Sequence, residues 1–309
     1  MFAVLMVVDS MHYIFARLLL PHVEPAWSAF FVLAVGTLEV GVYGFAGGRI
    51  AVRAFRPHAG FFAAIGFLVA ASTILSYESI AYVDAGTASL LGKTTTVFTV
   101  IFGLVWLRER LAPRQMAGAG VALAGLLLFA FQPGDFFRLG ALLVLGSSLF
   151  YALHTALVKR SGEGIGFMDF FFFRLLSTSA FLLLMALGAG ALRGAPFAWP
   201  GATGWLLLAL TGTVDVVVSR TLYYLTLRSL PMSVHAIILT LSPVVSIAVA
   251  LLLFGSFPTV LQLAGGALIL GGVLLVSLAP SPTAQPQLPA APPAGLPAES
   301  AAPIELAGK

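Results

Sequence analysis

No cysteine occurs among the 309 residues. Disulfides, thiolate metal sites and a cysteine nucleophile are therefore excluded. Charge is scarce too: 9% of residues are Asp, Glu, Lys or Arg, against about 25% in a soluble domain. So few charges cannot cover the water-facing surface of a chain this long. Neither H-E-x-x-H nor G-x-S-x-G is present, which removes the common zinc-protease and serine-hydrolase sites. Gly86 to Thr94 imitates a phosphate-binding loop but has five residues between its glycines and lies in an apolar run, so it is not a nucleotide loop. Intramembrane carboxylates are scattered, and nothing implies a metal or a cofactor.

What the chain has is apolar length. It is 60% hydrophobic, with a mean hydropathy of +1.03. A helix needs roughly 20 apolar residues to cross a bilayer. Ten such stretches occur, near 2–20, 27–46, 59–79, 85–107, 114–132, 138–158, 166–189, 201–222, 231–254 and 258–279. Pro21, Pro25, Pro133-Gly134, Pro200-Gly201 and Pro231 punctuate them, as helix-ending residues do. The first stretch lacks a basic n-region and a small-residue cleavage site, so it reads as a retained span. The class is an all-α polytopic membrane protein bound to the lipid bilayer. Its surplus of Lys and Arg sits in short loops and does not form a nucleic-acid footprint.

With the N-terminus inside, the inner loops and span ends hold ten basic residues, among them Arg49, Arg53, Arg56, Arg108, Lys159 and Arg160. The outer ones hold Arg17, Arg138 and Arg193. By the positive-inside rule both termini are cytoplasmic. After Leu278 the chain becomes rich in proline and alanine. Such a segment cannot bury enough surface to offset its ordering entropy, and reads as a disordered cytoplasmic tail over 280–309.

Ala88 to Phe129 and Ala236 to Val276 repeat one pattern. A constant offset of 147 places Gln115 on Gln262, Gly118 on Gly265, Gly125 on Gly272 and Thr95 on Ser242. This predicts two halves, 1–132 and 138–279, each of five spans. An odd number of spans per half makes the repeats inverted, with a binding site near the midplane between them. Gly120 with Ala124, and Ala267 with Gly271, are small-xxx-small pairs. They predict close packing of spans 5 and 10, with a homodimer contact as the alternative.

The hairpins, with Leu241-Ser242-Pro243-Val244, Gln262-Leu263, the glycine-rich last span and Tyr223 to Pro231 leading into span 9, resemble the EamA-like branch of the drug/metabolite transporter superfamily. The likeness covers about residues 1 to 279. Leu107-Arg108-Glu109-Arg110-Leu111 follows the family pattern except that Arg108 stands where Gly is usual before the Glu. Arg174 matches an arginine of span 7. The resemblance implies two inverted five-helix repeats, a cavity lined mainly by spans 1, 3, 4, 6, 8 and 9, and export of amino acids, other metabolites or drugs.

Polar groups inside a membrane are costly, so each is a candidate for function. Lys93, about two turns into span 4, suits an anionic substrate group, or snorkels toward the interface. Glu78, with Asp84, flanks the outer 3–4 turn and could offset Lys93; alternatively Asp84 caps span 4. Asp9 and His12 lie one turn apart in span 1, as a proton relay or a packing pair. Tyr151 and His154 repeat that spacing in span 6 as an aromatic wall, and Asp215 with Arg220 suggests an inner gate in span 8. These residues predict a secondary inner-membrane carrier of a small-molecule substrate, not an enzyme. It would work by alternating access and be driven by proton or substrate antiport. The alternatives are an integral-membrane enzyme such as a lipid-modifying transferase, and a non-transporting scaffold that uses the tail.

Overall fold

The computed structural model describes residues 2–108, 112–130, 135–162, 164–193, 197–223 and 232–278. The tail over 280–309 lies outside them. Among the described residues the chain is helical throughout, with no strand.

The helices are α1 (Phe2–Ser10), α2 (His12–Leu19), α3 (Pro25–Ala46), α4 (Ala59–Ser79), α5 (Ala85–Gly92), α6 (Thr94–Val105), α7 (Pro113–Ala130), α8 (Asp135–Ser161), α9 (Phe167–Arg193) and α10 (Ala202–Thr211). A π-turn follows over Gly212–Val218, residues 219–223 return to α-helix as α11, and the chain ends in α12 (Met232–Phe254) and α13 (Val260–Leu278). Among the described residues, seven helical stretches are long and apolar enough to cross a membrane. Of the other three stretches, the first is broken at Met11, the fifth is α7 with its polar first turn, and the ninth holds a shorter apolar helix over Leu239–Phe254. Large apolar side chains point outward, Leu252 at 83% and Val260 at 84% exposure. Hydrocarbon is the solvent that suits them.

Local chemistry sets the ends. Pro25 opens α3 and Asp84 caps α5, its carboxylate accepting from Thr87 N at 2.9 Å. The repeated glutamines have one job. Gln115 Oε1 accepts from Ala112 N at 2.9 Å, and Gln262 Oε1 from Thr259 N at 2.6 Å. Each amide reaches back to a donor that the first turn of its helix leaves unpaired.

Three spans are interrupted. In the first, Ser10 Oγ donates to the Ser242 carbonyl and Ser246 Oγ donates to the Ser10 carbonyl, both at 2.8 Å, across to α12. The break at Met11 thus coincides with hydrogen bonds diverted to a neighbour. In the fourth, Thr94 Oγ1 donates to the Leu91 carbonyl at 2.7 Å and Thr95 Oγ1 to Gly92 at 2.8 Å, on either side of Lys93. Hydroxyls that bond back to the helix carbonyls compete with its ladder and bend it. The eighth holds the π-turn, a one-residue excess that is frequent at functional sites.

Packing follows small residues. α7 lies along α13, α4 on α8 and α9, α3 on α9, α1 on α12, and α5 on α12. A Cβ built on Gly118 would lie 2.6 Å from the Gly272 carbonyl oxygen, and one on Gly125 2.6 Å from the Gly265 oxygen. The pairing runs in reverse order, so α7 and α13 cross antiparallel. This corrects the predicted contact. Gly120 and Gly271 have nothing within 4 Å of a built Cβ, and Ala124 and Ala267 are exposed. The contact stripe spaces its glycines seven apart, two full turns, rather than four.

Candidate functional site

A cavity of about 220 Å³ opens where the three interruptions meet. α1 and α2 bring Asp9, His12 and Tyr13; α4 brings Ser72, Thr73 and Ser76; the α5–α6 break brings Lys93. α8 adds Ser147, Ser148 and Tyr151, α9 adds Arg174, and the π-turn with its continuation adds Asp215, Ser219 and Arg220.

Two charge pairs form in the cavity wall, and they are not the expected ones. His12 Nδ1 meets Asp215 Oδ2 at 2.8 Å, and His12 Nε2 meets Ser76 Oγ at 3.1 Å. The imidazole therefore ties span 1 to spans 8 and 3. Asp9, one turn earlier, faces Lys93 instead, with its carboxylate 3.7 Å from Nζ. The predicted Asp9–His12 pair is thus replaced by two pairs made across helices. Lys93 reaches Asp9 rather than Glu78 or Asp84, and Asp84 is occupied in capping α5. The rings of Tyr13 and Tyr77 meet the His12 ring edge-on, at centroid distances of 5.0 and 5.8 Å.

Asp9, His12, Lys93, Tyr151 and Asp215 line the cavity, whereas Glu78 and His154 are not among its lining residues. Glu78 sits in the last turn of α4 with interactions of its own. His154 lies one turn beyond Tyr151, with ring centroids 5.3 Å apart. It is buried, and neither ring nitrogen has a hydrogen-bond partner among the described residues.

Sequence reasoning pointed to Ser147 and Ser148 beside Tyr151, but missed Ser72, Ser76 and Ser219 and undervalued Arg174. Ser72 Oγ lies 3.0 Å from Ser147 Oγ and donates to the Ser147 carbonyl at 2.9 Å, bridging α4 and α8. Hydroxyls are common in apolar spans, so only their convergence on one space singles these out. The Arg174 guanidinium lies beside the Tyr151 hydroxyl. Its Nε is buried without a hydrogen-bond partner. Behind the π-turn, Thr213 Oγ1 donates to Glu39 Oε1 at 2.6 Å and to the Ala209 carbonyl at 2.9 Å. That gives Glu39 of α3 the partner its own helix could not supply. Among the described residues no group of His, Asp and Glu is placed to hold a metal ion.

An apolar helical bundle around a small charged cavity defines a multi-pass membrane protein with an internal polar site. The EamA-like transporter family profile matches residues 1–131 and again residues 138–278. The chain belongs to the EamA-like transporter family. It is 28% identical over 207 residues to the uncharacterized transporter YdfC of Bacillus subtilis (strain 168), a match that covers 63% of each chain. It is also 28% identical over 198 residues to a probable terminal-alkyne amino-acid exporter of Streptantibioticus cattleyicolor, covering 63% of this chain and 65% of that one. The match thus spans just under two thirds of these relatives. A solved crystal structure, 19% identical, shares the fold with a TM-score of 0.63 over 89% of this chain and 95% of its own.

Proposed function

We propose that the protein is a secondary transporter that exports small zwitterionic metabolites, amino acids foremost, across the inner membrane. The observation that carries this is the cavity itself. It is walled by hydroxyls and opposed charges, and at about 220 Å³ it is smaller than the 300–1,000 Å³ typical of drug-sized sites. A molecule with an ammonium and a carboxylate a few ångströms apart suits such a lining. One relative, a probable terminal-alkyne amino-acid exporter, points the same way. Asp9, His12, Lys93, Tyr151 and Asp215 lie in the wall around the proposed site.

The mechanism is alternating access between two inverted five-helix repeats, 1–132 and 138–279. The reciprocal glycine contacts support it. Gly118 meets Gly272 and Gly125 meets Gly265, while the repeat offset puts Gly118 on Gly265 and Gly125 on Gly272. Such an exchange is what a two-fold axis across antiparallel helices produces. The Lys/Arg asymmetry supports cytoplasmic termini. His12, bonded to Asp215 and reaching spans of both halves, is the group through which proton antiport would act.

Counterflow tests the reading. Proteoliposomes loaded with unlabelled L-norvaline are diluted into tracer-labelled L-norvaline. Uptake above that of protein-free vesicles is the expected result. The reading fails if no exchange is seen across a panel of neutral amino acids, organic acids and nucleosides.

A further inference from the structure

We propose that the anionic group of the substrate binds Arg174, flanked by Tyr151, and that Lys93 serves chiefly as the internal counter-charge of Asp9. This rests on the transporter reading above and names the substrate chemistry of the same cavity, a carboxylate-bearing molecule.

The inference follows from where the intramembrane carboxylates go. Deep within the spans the sequence holds three acidic residues, Asp9, Glu39 and Asp215. Asp9 faces Lys93, Asp215 holds His12, and Glu39 accepts from Thr213. None is left for Arg174, which forms no salt bridge among the described residues. A guanidinium stays charged at any physiological pH and carries five N–H donors in a flat fork. Arg174 nevertheless lines the cavity with a buried, unpartnered Nε. A buried charge without counter-ion or full hydrogen bonding is costly and persists where something completes it. A planar carboxylate matches the fork. The Tyr151 hydroxyl, in the same wall, can donate to the same oxygen. Lys93, by contrast, already has its carboxylate.

The test uses the purified full chain in detergent and three probes of one carbon skeleton. They are L-norvaline, pentanoate (the same chain without the amine) and n-butylamine (the same chain without the carboxylate). Ligand-induced thermal shifts, titrated to apparent Kd, are read for wild type, Arg174→Gln, Tyr151→Phe and the charge-neutral double variant Asp9→Asn/Lys93→Met. Wild type is expected to bind norvaline and pentanoate but not n-butylamine. Arg174→Gln should weaken norvaline binding about tenfold or more, the range for a charge-assisted hydrogen bond, with Arg174→Lys restoring part of it. Tyr151→Phe should weaken it a few-fold and keeps the test open if Arg174→Gln does not fold. The double variant should lose less affinity than Arg174→Gln. Norvaline binding equal in wild type, Arg174→Gln and Tyr151→Phe overturns the carboxylate site and leaves the transporter reading standing. So does a larger loss in the double variant than in Arg174→Gln. Wild type that answers to none of the three probes but to another metabolite class overturns this inference and the amino-acid assignment, and leaves a transporter of that other class standing. Wild type that answers to no metabolite overturns both.

Discussion

The two hairpins that carry the repeat, α6–α7 and α12–α13, are alike where they pack and unlike where they meet the cavity. Gln115 and Gln262 cap their helices in the same way, and the glycines of α7 and α13 interlock reciprocally. Toward the cavity the likeness ends. Span 4 is broken at Lys93, whereas α12 runs unbroken past Ser242 with Pro243 inside it. At the connecting turns, Arg108 takes φ +52° where its counterpart under the repeat offset, Gly255, takes φ +63°. Packing between two similar halves rewards symmetry, because one contact solution is used twice. The proposed zwitterionic substrate has distinct ends, and an unequal division of charges and helix breaks suits it.

The largest effect is expected where the likeness is structural. Gly272→Leu drives a side chain into the backbone of α7 and should cost about 3 kcal/mol or more. Gly120→Leu, with open space around it, should stay within about 0.5 kcal/mol. Denaturant titration in micelles compares the two, and equal losses would dissolve the distinction between packing and exposed glycines. Next comes the divided charge. Lys93→Met strands the Asp9 carboxylate. Because both side chains keep about a fifth of their exposure, 21% and 23%, the cost should be about 1–2 kcal/mol, below that of a fully buried pair. Adding Asp9→Asn should recover most of it in the same titration, and a double variant no better than the single would show the pair to be uncoupled.

Smaller again is Thr213→Val, which removes the hydroxyl shared by Glu39 and the Ala209 carbonyl. A loss of about 1 kcal/mol is expected, with weaker norvaline binding if the π-turn positions Asp215. Smallest, and of opposite sign, is Arg108→Gly. A side chain in the left-handed region costs about 1–2 kcal/mol, partly offset by the extra freedom of glycine when unfolded. A gain of up to about 1 kcal/mol should appear as a raised midpoint.

Much of the fold could be read from the sequence because apolar length and repetition are local properties. The glutamine caps and the α7–α13 glycines were visible as matches under one offset. What misled was the four-residue spacing of Gly120 and Ala124. It is a good rule for close crossings, but here it points off the interface, and the seven-residue spacing of Gly118 and Gly125 was the informative one. The site was half legible. Asp9, His12, Lys93, Tyr151 and Asp215 stand out as polar groups in apolar spans. Their partners do not, since spacing along one helix says which residues share a face and nothing of what lies opposite. Asp9 and His12 share a face yet bond to different helices. The break at Lys93 had a signal in the three threonines that follow it, whose hydroxyls can bond back to the helix.

The π-turn also bears on how this chain tolerates changes of length. A π-turn holds one residue more than the α-helix on either side, so residues after it are out of phase with those before it by about 100°, one helical step. Deleting a single residue between 212 and 218 would shorten the span by only about 1.5 Å. It would also rotate Ser219 and Arg220 away from the cavity relative to the α10 face that packs on α3. Substitutions at many lipid-facing positions of this span should pass unnoticed, whereas one lost codon would disarm the site without unfolding the bundle.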